Sequence, residues 1–326
     1  MTESFLNFLW GNLRQQQLII FQSTTYPGHT EESVLPELES DGSKVGQDFY
    51  LAFALERIDP GNRDFVVRDL PKVLGGVTKS CADVSSIFFE AFVDEIYVVS
   101  APKVAEMTKL LENTFRSVNI ALVNELSMLS HRMDIDIWEV VEAASTKPFG
   151  FMPFFPGPGV GGHCIPVDPF YLSWKAKEYD FNVNFIHLAA ETNDYMPHYT
   201  LSRISEIMSD HNLTLRGANV LVLGVTFKAD VDDTRNSPSL RVLELLMKNG
   251  ALVSYSDQHV SSIIVNDTEL TSVELDPEVI SAFDVCVIMV NHENSGLEMI
   301  IESSPLVIDG QNATKGMSPS TNIAKI

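Results

Sequence analysis

Basic residues are scarce in this 326-residue chain: 22 Lys plus Arg stand against 44 Asp plus Glu, a net charge of −22. Such a surface repels phosphate backbones and anionic headgroups, so neither nucleic acid nor a membrane is an expected partner. Cysteine is scarcer still. Cys81, Cys164 and Cys286 are odd in number, far apart and without metal-ligand spacing, which excludes a disulfide framework and predicts no metal. A reducing cytoplasm is the expected compartment. No apolar run reaches the ~18 residues needed to cross a bilayer, and with no basic segment followed by an apolar stretch and a small-residue cleavage site near the start, an unexported protein is expected. An apolar fraction of 45% excludes a disordered chain. A complete dinucleotide fingerprint is also lacking. Gly-x-Gly-x-x-Gly occurs once, at Gly157, Gly159 and Gly162, between Pro156 and Pro166, where no strand precedes it and no helix can begin.

What is present reads as alternating strands and helices, in a chain long enough for two or three domains. Ser4 to Trp10 suits a short amphipathic helix, and residues 18–21, 49–55, 73–74 and 96–99 suit strands of a parallel α/β sheet. Pro102 opens a long helix over 104–131, apolar at three-to-four spacing and free of Gly and Pro. A second helix follows over 135–144, then a rigid Gly/Pro-rich loop to Pro169, then helices over 170–179 and 187–208. Residues 218–223, 239–248 and 252–255 form a βαβ unit, with further strands at 285–290 and 306–308. Three domains are expected, at 1–100, 101–210 and 211–326, with an all-helical middle.

Cys164 stands apart from the other two cysteines because a proline- and glycine-bounded loop fixes its direction, with His163 beside it and Asp168 four residues on. It is either a nucleophile or loop packing. Lys109 and Asn113, four apart on the long helix, share a face where one substrate oxygen or water can meet both, or else form a solvated face with Glu106 and Glu112. Glu56 and the run Ser23, Thr24, Thr25 fall at strand ends, where open parallel sheets bind ligands and where turns also occur.

Taken together these segments resemble one family. Ser23-Thr24-Thr25-Tyr26-Pro27-Gly28, Leu55-Glu56-Arg57-Ile58-Asp59-Pro60-Gly61-Asn62, Lys109 with Asn113, Gly161-Gly162-His163-Cys164-Ile165-Pro166-Val167-Asp168-Pro169 and Phe227-Lys228-Ala229-Asp230-Val231-Asp232-Asp233-Thr234-Arg235 occur in the order seen in the UDP-glucose/GDP-mannose dehydrogenase family. Pro156-Gly157-Pro158-Gly159 is similar to the branch that oxidises UDP-N-acetylhexosamines.

The resemblance implies two Rossmann-like parallel-sheet domains, the first truncated, joined by a helical section that also forms a homodimer. It implies NAD-dependent oxidation of the sugar C6 alcohol to a carboxylate, through a thiohemiacetal and a thioester on Cys164, for surface polysaccharide precursors. Lys109 would be acid/base and oxyanion stabiliser with Asn113 assisting, while Asp168 and Thr24 would hold the hydrolytic water. Ser23, Thr24, Thr25, Glu56 and Arg235 would meet NAD, with Glu56 as a possible base. Lys109, Asn113, Gly157, Gly159, Gly161, Phe227 and Lys228 would meet the UDP-sugar.

Three departures accompany the resemblance. The family's opening strand and glycine turn do not occur, so the chain is expected to start inside the cofactor domain, and a catalytically impaired UDP-sugar-binding protein is the rival reading. Gln311 replaces the usual Arg after Asp309, and Ala54-Leu55 precedes Glu56 where Ser-Pro is common.

Overall fold

A computed structural model describes residues 13–59, 61–62, 65–318 and 320–326; the helix expected at Ser4 to Trp10 lies outside them. The chain divides into two units, Met1–Phe115 with Val167–Asn184, and Arg116–Pro166 with Phe185–Ile326.

In the first unit β1 (Gln17–Phe21) leads through a π-type turn (Thr30–Val34) and the short α1 (Leu35–Leu38) to β2 (Phe49–Ala54). A three-residue 3-10 turn precedes β3 (Lys72–Gly76), followed by α2 (Lys79–Phe89) and β4 (Ile96–Val99). The strands lie in sequence order in one sheet. β1 runs parallel to β2, with Ile19 opposite Leu51, and β3 parallel to β4. β2 and β3 are antiparallel, with Phe53 opposite Gly75, so this sheet is mixed where an all-parallel one was expected. The connection explains it. A parallel neighbour needs a crossover, usually a helix, and between Ala54 and Lys72 the described residues hold only that 3-10 turn. β2 is almost wholly buried and reads Phe-Tyr-Leu-Ala-Phe-Ala, the continuous apolar run of a strand covered on both faces. Cys81 is buried in α2, where its sulfur accepts the Leu51 N–H at 3.3 Å, as a structural thiol should.

From Pro102 the 31-residue α3 (Pro102–Arg132) runs, as its spacing requires, with residues in both units. The chain then gives α4 (Ile137–Ser145) to the second unit and returns to the first with α5 (Asp168–Ala176). α4 starts two residues later than expected because Asp136 serves as its cap, accepting from the amides of Trp138 and Glu139.

The second unit continues with α6 (Asn184–Asp210), which contains Pro197. Then come β5 (Asn219–Leu223), α7 (Pro238–Lys248), β6 (Leu252–Ser256), a hairpin of β7 (Ser262–Val265) and β8 (Thr268–Thr271), α8 (Pro277–Ser281), β9 (Val285–Ile288), α9 (Leu297–Ser303), β10 (Val307–Asp309) and β11 (Ile323–Lys325). Its main sheet has the order β11-β10-β9-β5-β6 and every pairing is parallel. Val220, Val222 and Val287 face one core with α7, and Leu221, Cys286 and Ile288 face the other. The carboxyl ends of β5, β6 and β9 therefore form a single edge at which loops can hold a ligand. Among the described residues, no helix is long and apolar enough to cross a membrane.

Candidate active site

Within the first unit α3 presents Glu106, Lys109 and Asn113 on one face. The face is not solvated: Glu106 is 1% exposed and Lys109 9%. Lys109 Nζ donates to the backbone carbonyl of Glu56 at 3.2 Å. Asn113 Nδ2 donates to Asp168 Oδ2 at 2.7 Å, and the Thr24 hydroxyl donates to the same oxygen at 3.1 Å. Asp168 is buried at the first position of α5, where a helix's positive end favours a carboxylate. Thr24, with Ser23 and Thr25 beside it, follows β1, and Glu56 follows β2. Five residues expected to act together thus fall into two hydrogen-bonded groups of this unit, Thr24 and Asn113 on Asp168, and Lys109 on Glu56.

Glu56 is held ionised. Its Oε1 accepts the N–H groups of Arg57 and Ile58, each at 2.8 Å, and its Oε2 accepts Lys72 Nζ at 2.8 Å. Burial pushes its pKa up, but the Lys72 bond and the amides outweigh that and leave it below the usual value. Such a carboxylate is a weak base and a good electrostatic anchor.

The supporting roles of Glu106, Lys175 and Arg57 were not evident in the sequence. Glu106 accepts the N–H of Gly28 at 2.6 Å and both the N–H and hydroxyl of Thr30, at 3.0 and 2.6 Å, and so pins the turn after Thr24 to α3. Burial raises its pKa against the pull of those donors. Lys175 of α5 donates to Glu32 and Glu178, each at 2.6 Å, and lies 5.0 Å from the Tyr26 ring centre. Arg57 pairs with Glu112 of α3 and donates to the Pro71 carbonyl at 2.7 Å, fixing the segment after Glu56. An acid one helical turn before Lys109 was the signal available for Glu106.

In the second unit the loop carrying Cys164 is held by backbone approach. Gly162 N–H donates to the Arg235 carbonyl at 2.9 Å, and Asn236 Nδ2 donates to the Gly162 carbonyl at 3.0 Å. A Cβ at Gly161 would stand 2.6 Å from the Phe227 Cβ and 2.9 Å from the Asn236 carbonyl, so only glycine fits. Pro197 has no N–H to offer the Asn193 carbonyl. That oxygen lies 3.2 Å from where a Cβ at Gly159 would be, and Gly159 has φ +135°. Gly157 N–H donates to Asn124 Oδ1 at 3.0 Å, Asn124 Nδ2 to Asn193 Oδ1 at 3.0 Å, and Asn193 Nδ2 to the Ser117 carbonyl at 3.2 Å. The glycines therefore serve loop packing, as their proline context requires.

Cys164 is exposed at the end of this loop. Arg235 is exposed and forked onto Asp233, with two 3.0 Å bonds from Nε and one of 2.6 Å from Nη2. Its pKa is raised first by those bonds and also by the charge of Cys164. Phe227 N–H donates to the Asp233 carbonyl at 3.0 Å, closing the turn that includes Lys228. Gln311 Nε2 lies 3.9 Å from the Cβ position of Gly157. A cavity of about 440 Å³, lined in part by Trp138, Pro156, Gly157, Pro158, Tyr199 and Arg203, adjoins the loop.

Residues 103–195 match the UDP-glucose/GDP-mannose dehydrogenase family, central domain, and residues 221–316 match that family's UDP binding domain. The chain is 39% identical over 252 residues to the UDP-N-acetyl-D-glucosamine 6-dehydrogenase of Pseudomonas aeruginosa, covering 77% of this chain and 59% of that protein. It is 35% identical over 301 residues to the UDP-N-acetyl-D-mannosamine dehydrogenase of Pyrococcus horikoshii, covering 91% of this chain and 69% of that one. The solved structure of the UDP-D-ManNAc dehydrogenase from P. horikoshii superposes with a TM-score of 0.88 at 31% identity, over 100% of this chain and 76% of that one. The chain thus spans under two thirds of the length of the P. aeruginosa relative.

Proposed function

The chain belongs to the UDP-glucose/GDP-mannose dehydrogenase family, and on that premise we propose that it acts in the NAD-dependent oxidation of a UDP-N-acetylhexosamine at C6 to the uronic acid, a precursor for surface polysaccharide. The observation that carries this reading is the convergence of Thr24 and Asn113 on one carboxylate oxygen of buried Asp168, with Lys109 of the same helix as Asn113 held at the Glu56 carbonyl. The names of the relatives favour catalysis over binding of a UDP-sugar alone.

In this reading the hydroxyls of Ser23, Thr24 and Thr25 and the Glu56 carboxylate hold the cofactor, since hydroxyls and a carboxylate at two adjacent strand ends suit a ribose and an amide. When bound, NAD supplies the acceptor for each of two hydrides. Lys109 moves the proton to and from O6, and Lys109 with Asn113 donates to the developing oxyanion. The Cys164 sulfur adds to the aldehyde, forming a C–S bond and a thiohemiacetal that still carries a hydrogen on C6. Oxidation of that adduct leaves a thioester. Water oriented by Asp168 and Thr24 then cleaves the C–S bond, releasing the carboxylate and regenerating the thiol. Gly157, Gly159, Gly161, Phe227 and Lys228 contact the UDP-sugar, and Arg235 the cofactor diphosphate.

A homodimer is part of the proposal. Met107, Leu111, Phe115, Leu122, Leu126 and Leu129 are 39–59% exposed along α3 and recur at helical spacing, a stripe suited to a second copy. Light scattering on a sizing column checks it.

The deciding assay incubates the purified chain with UDP-N-acetylglucosamine and excess NAD. Two NADH per sugar are expected from the parent, and Cys164→Ser should stop at or before the aldehyde. Parent-rate formation of two NADH by that variant excludes Cys164 as nucleophile, and UDP-sugar binding without NADH excludes oxidation by this chain. Lys109→Ala should lower kcat about 10²-fold or more with UDP-sugar affinity little changed.

A further inference from the structure

Three neighbouring strand ends of the second sheet bring together groups that the proposed reaction does not use. Asp230 follows β5, His259 follows β6 and His292 follows β9, and one donor atom from each lies within 4.8 Å of the others. His292 Nδ1 is 3.8 Å and His259 Nε2 3.9 Å from the Asp230 carboxylate. We propose that these three residues form a binding site for a divalent first-row transition metal, Zn²⁺ foremost.

Two imidazoles and a carboxylate are the donor set such ions take, with water completing the shell. Donors around a tetrahedral zinc stand roughly 3.3–3.5 Å apart, so a small inward movement of the exposed His259 side chain closes the set. The tautomer is fixed from behind: His292 Nε2 donates to the buried Asp257 carboxylate at 3.1 Å. That is the carboxylate–histidine support typical of metal ligands, and it leaves the Nδ1 lone pair facing Asp230. The same lone pair accepts the Asp230 N–H at 3.0 Å, so ion binding exchanges one backbone hydrogen bond for a metal–nitrogen bond. Asp230 Oδ1 accepts the Glu293 N–H at 2.8 Å, which orients the carboxylate. His292 is buried, Asp230 half-buried and His259 exposed, giving an entry path from solvent. His292 and Asp257 also line a cavity of about 490 Å³. Sequence spacing hid the set because its members come from three different loops.

Asp230 lies between Lys228 and Arg235. The ion would therefore clamp the segment read above as contacting the UDP-sugar and cofactor; that consequence rests on the proposed function, whereas the site itself does not.

The test uses the EDTA-treated full chain titrated with ZnCl₂ by calorimetry and with CoCl₂ by absorption spectroscopy. One equivalent of Zn²⁺ is expected, with a Co²⁺ spectrum free of the near-ultraviolet thiolate band. His259→Ala, at an exposed position that should leave folding intact, should weaken Kd by roughly tenfold or more, as should Asp230→Asn. Cys164→Ser should leave Kd unchanged. Binding lost in Cys164→Ser, a thiolate band, equal affinity in His259→Ala, or no binding by the parent would each overturn the site. If the ion binds as expected while UDP-sugar affinity does not respond to it, the site stands and the clamp falls.

Discussion

The two units hold their candidate residues in place by different physics. In the first unit the turn after β1, the segment after β2 and the start of α5 are fixed by charged side chains: Glu106, Glu56 and Asp168 as acceptors, Lys72 and Lys175 as donors. In the second unit the Cys164 loop is fixed by neutral amides and by glycines that let backbones touch. Charged anchors in partly buried surroundings are strong but depend on protonation and on every partner being present. Close backbone approach ignores pH and tolerates no added atom. The difference teaches that one catalytic reading can rest on two kinds of rigidity, each with its own failure.

The comparison is broken most severely at Gly161. Gly161→Val pushes a branched side chain into Phe227 and should cost about 3 kcal/mol, with loss of oxidation; urea unfolding followed at Trp138 measures it. If a valine there is tolerated, close approach does not hold the loop. Next is Glu106→Gln, which turns an amide N–H toward groups that themselves donate. A loss of about 1–3 kcal/mol is expected for the unsatisfied donors, with kcat falling more than UDP-sugar affinity because Thr24 is displaced. Unchanged kcat would mean that the turn needs no carboxylate.

The smallest effect sharpens the pH contrast. Glu56 has a lowered folded pKa, so its stabilising contribution is complete above the ordinary carboxylate value and is lost as pH falls through the folded one. Glu56→Gln should therefore destabilise by under about 1 kcal/mol near neutrality, a partly exposed pair being screened, and by nothing once the parent's Glu56 is protonated. Denaturant midpoints at several pH values test this. Glu106 has the opposite sign, since its raised pKa gives stability at low pH that is lost as pH rises through the folded value.

Much of this was legible in the residues. The absence of Gly and Pro from 104 to 131 and its apolar spacing wrote α3, and the prolines around Gly157 to Gly162 ruled out a nucleotide turn that the glycines alone would suggest. One alternative left open by spacing was decided by burial: Lys109 and Glu106 are not on a solvated face. Strand direction was not legible, because it depends on the connection from β2 to β3 and not on either strand. The β7–β8 hairpin turns at Asn266 and Asp267, with φ of +49° and +60°, in place of the Asn-Gly that marks such turns most plainly. Asn124 and Asn193 meet across 69 positions, and nothing local announces that each is the other's partner.

The strand order of the second sheet also sets a timetable for synthesis. β5 pairs on one side with β6, made soon after it, and on the other with β9, where Val220 meets Val285, 65 positions later. At about 5–20 residues per second a ribosome takes several seconds to deliver that partner, during which one edge of a strand that is apolar from Val220 to Leu223 has no neighbour from its own sheet. Refolding from denaturant removes the head start of β5–β6 and offers every strand at once. Yields on refolding should therefore fall with protein concentration more steeply than yields from translation, with β5 as the segment that is captured first.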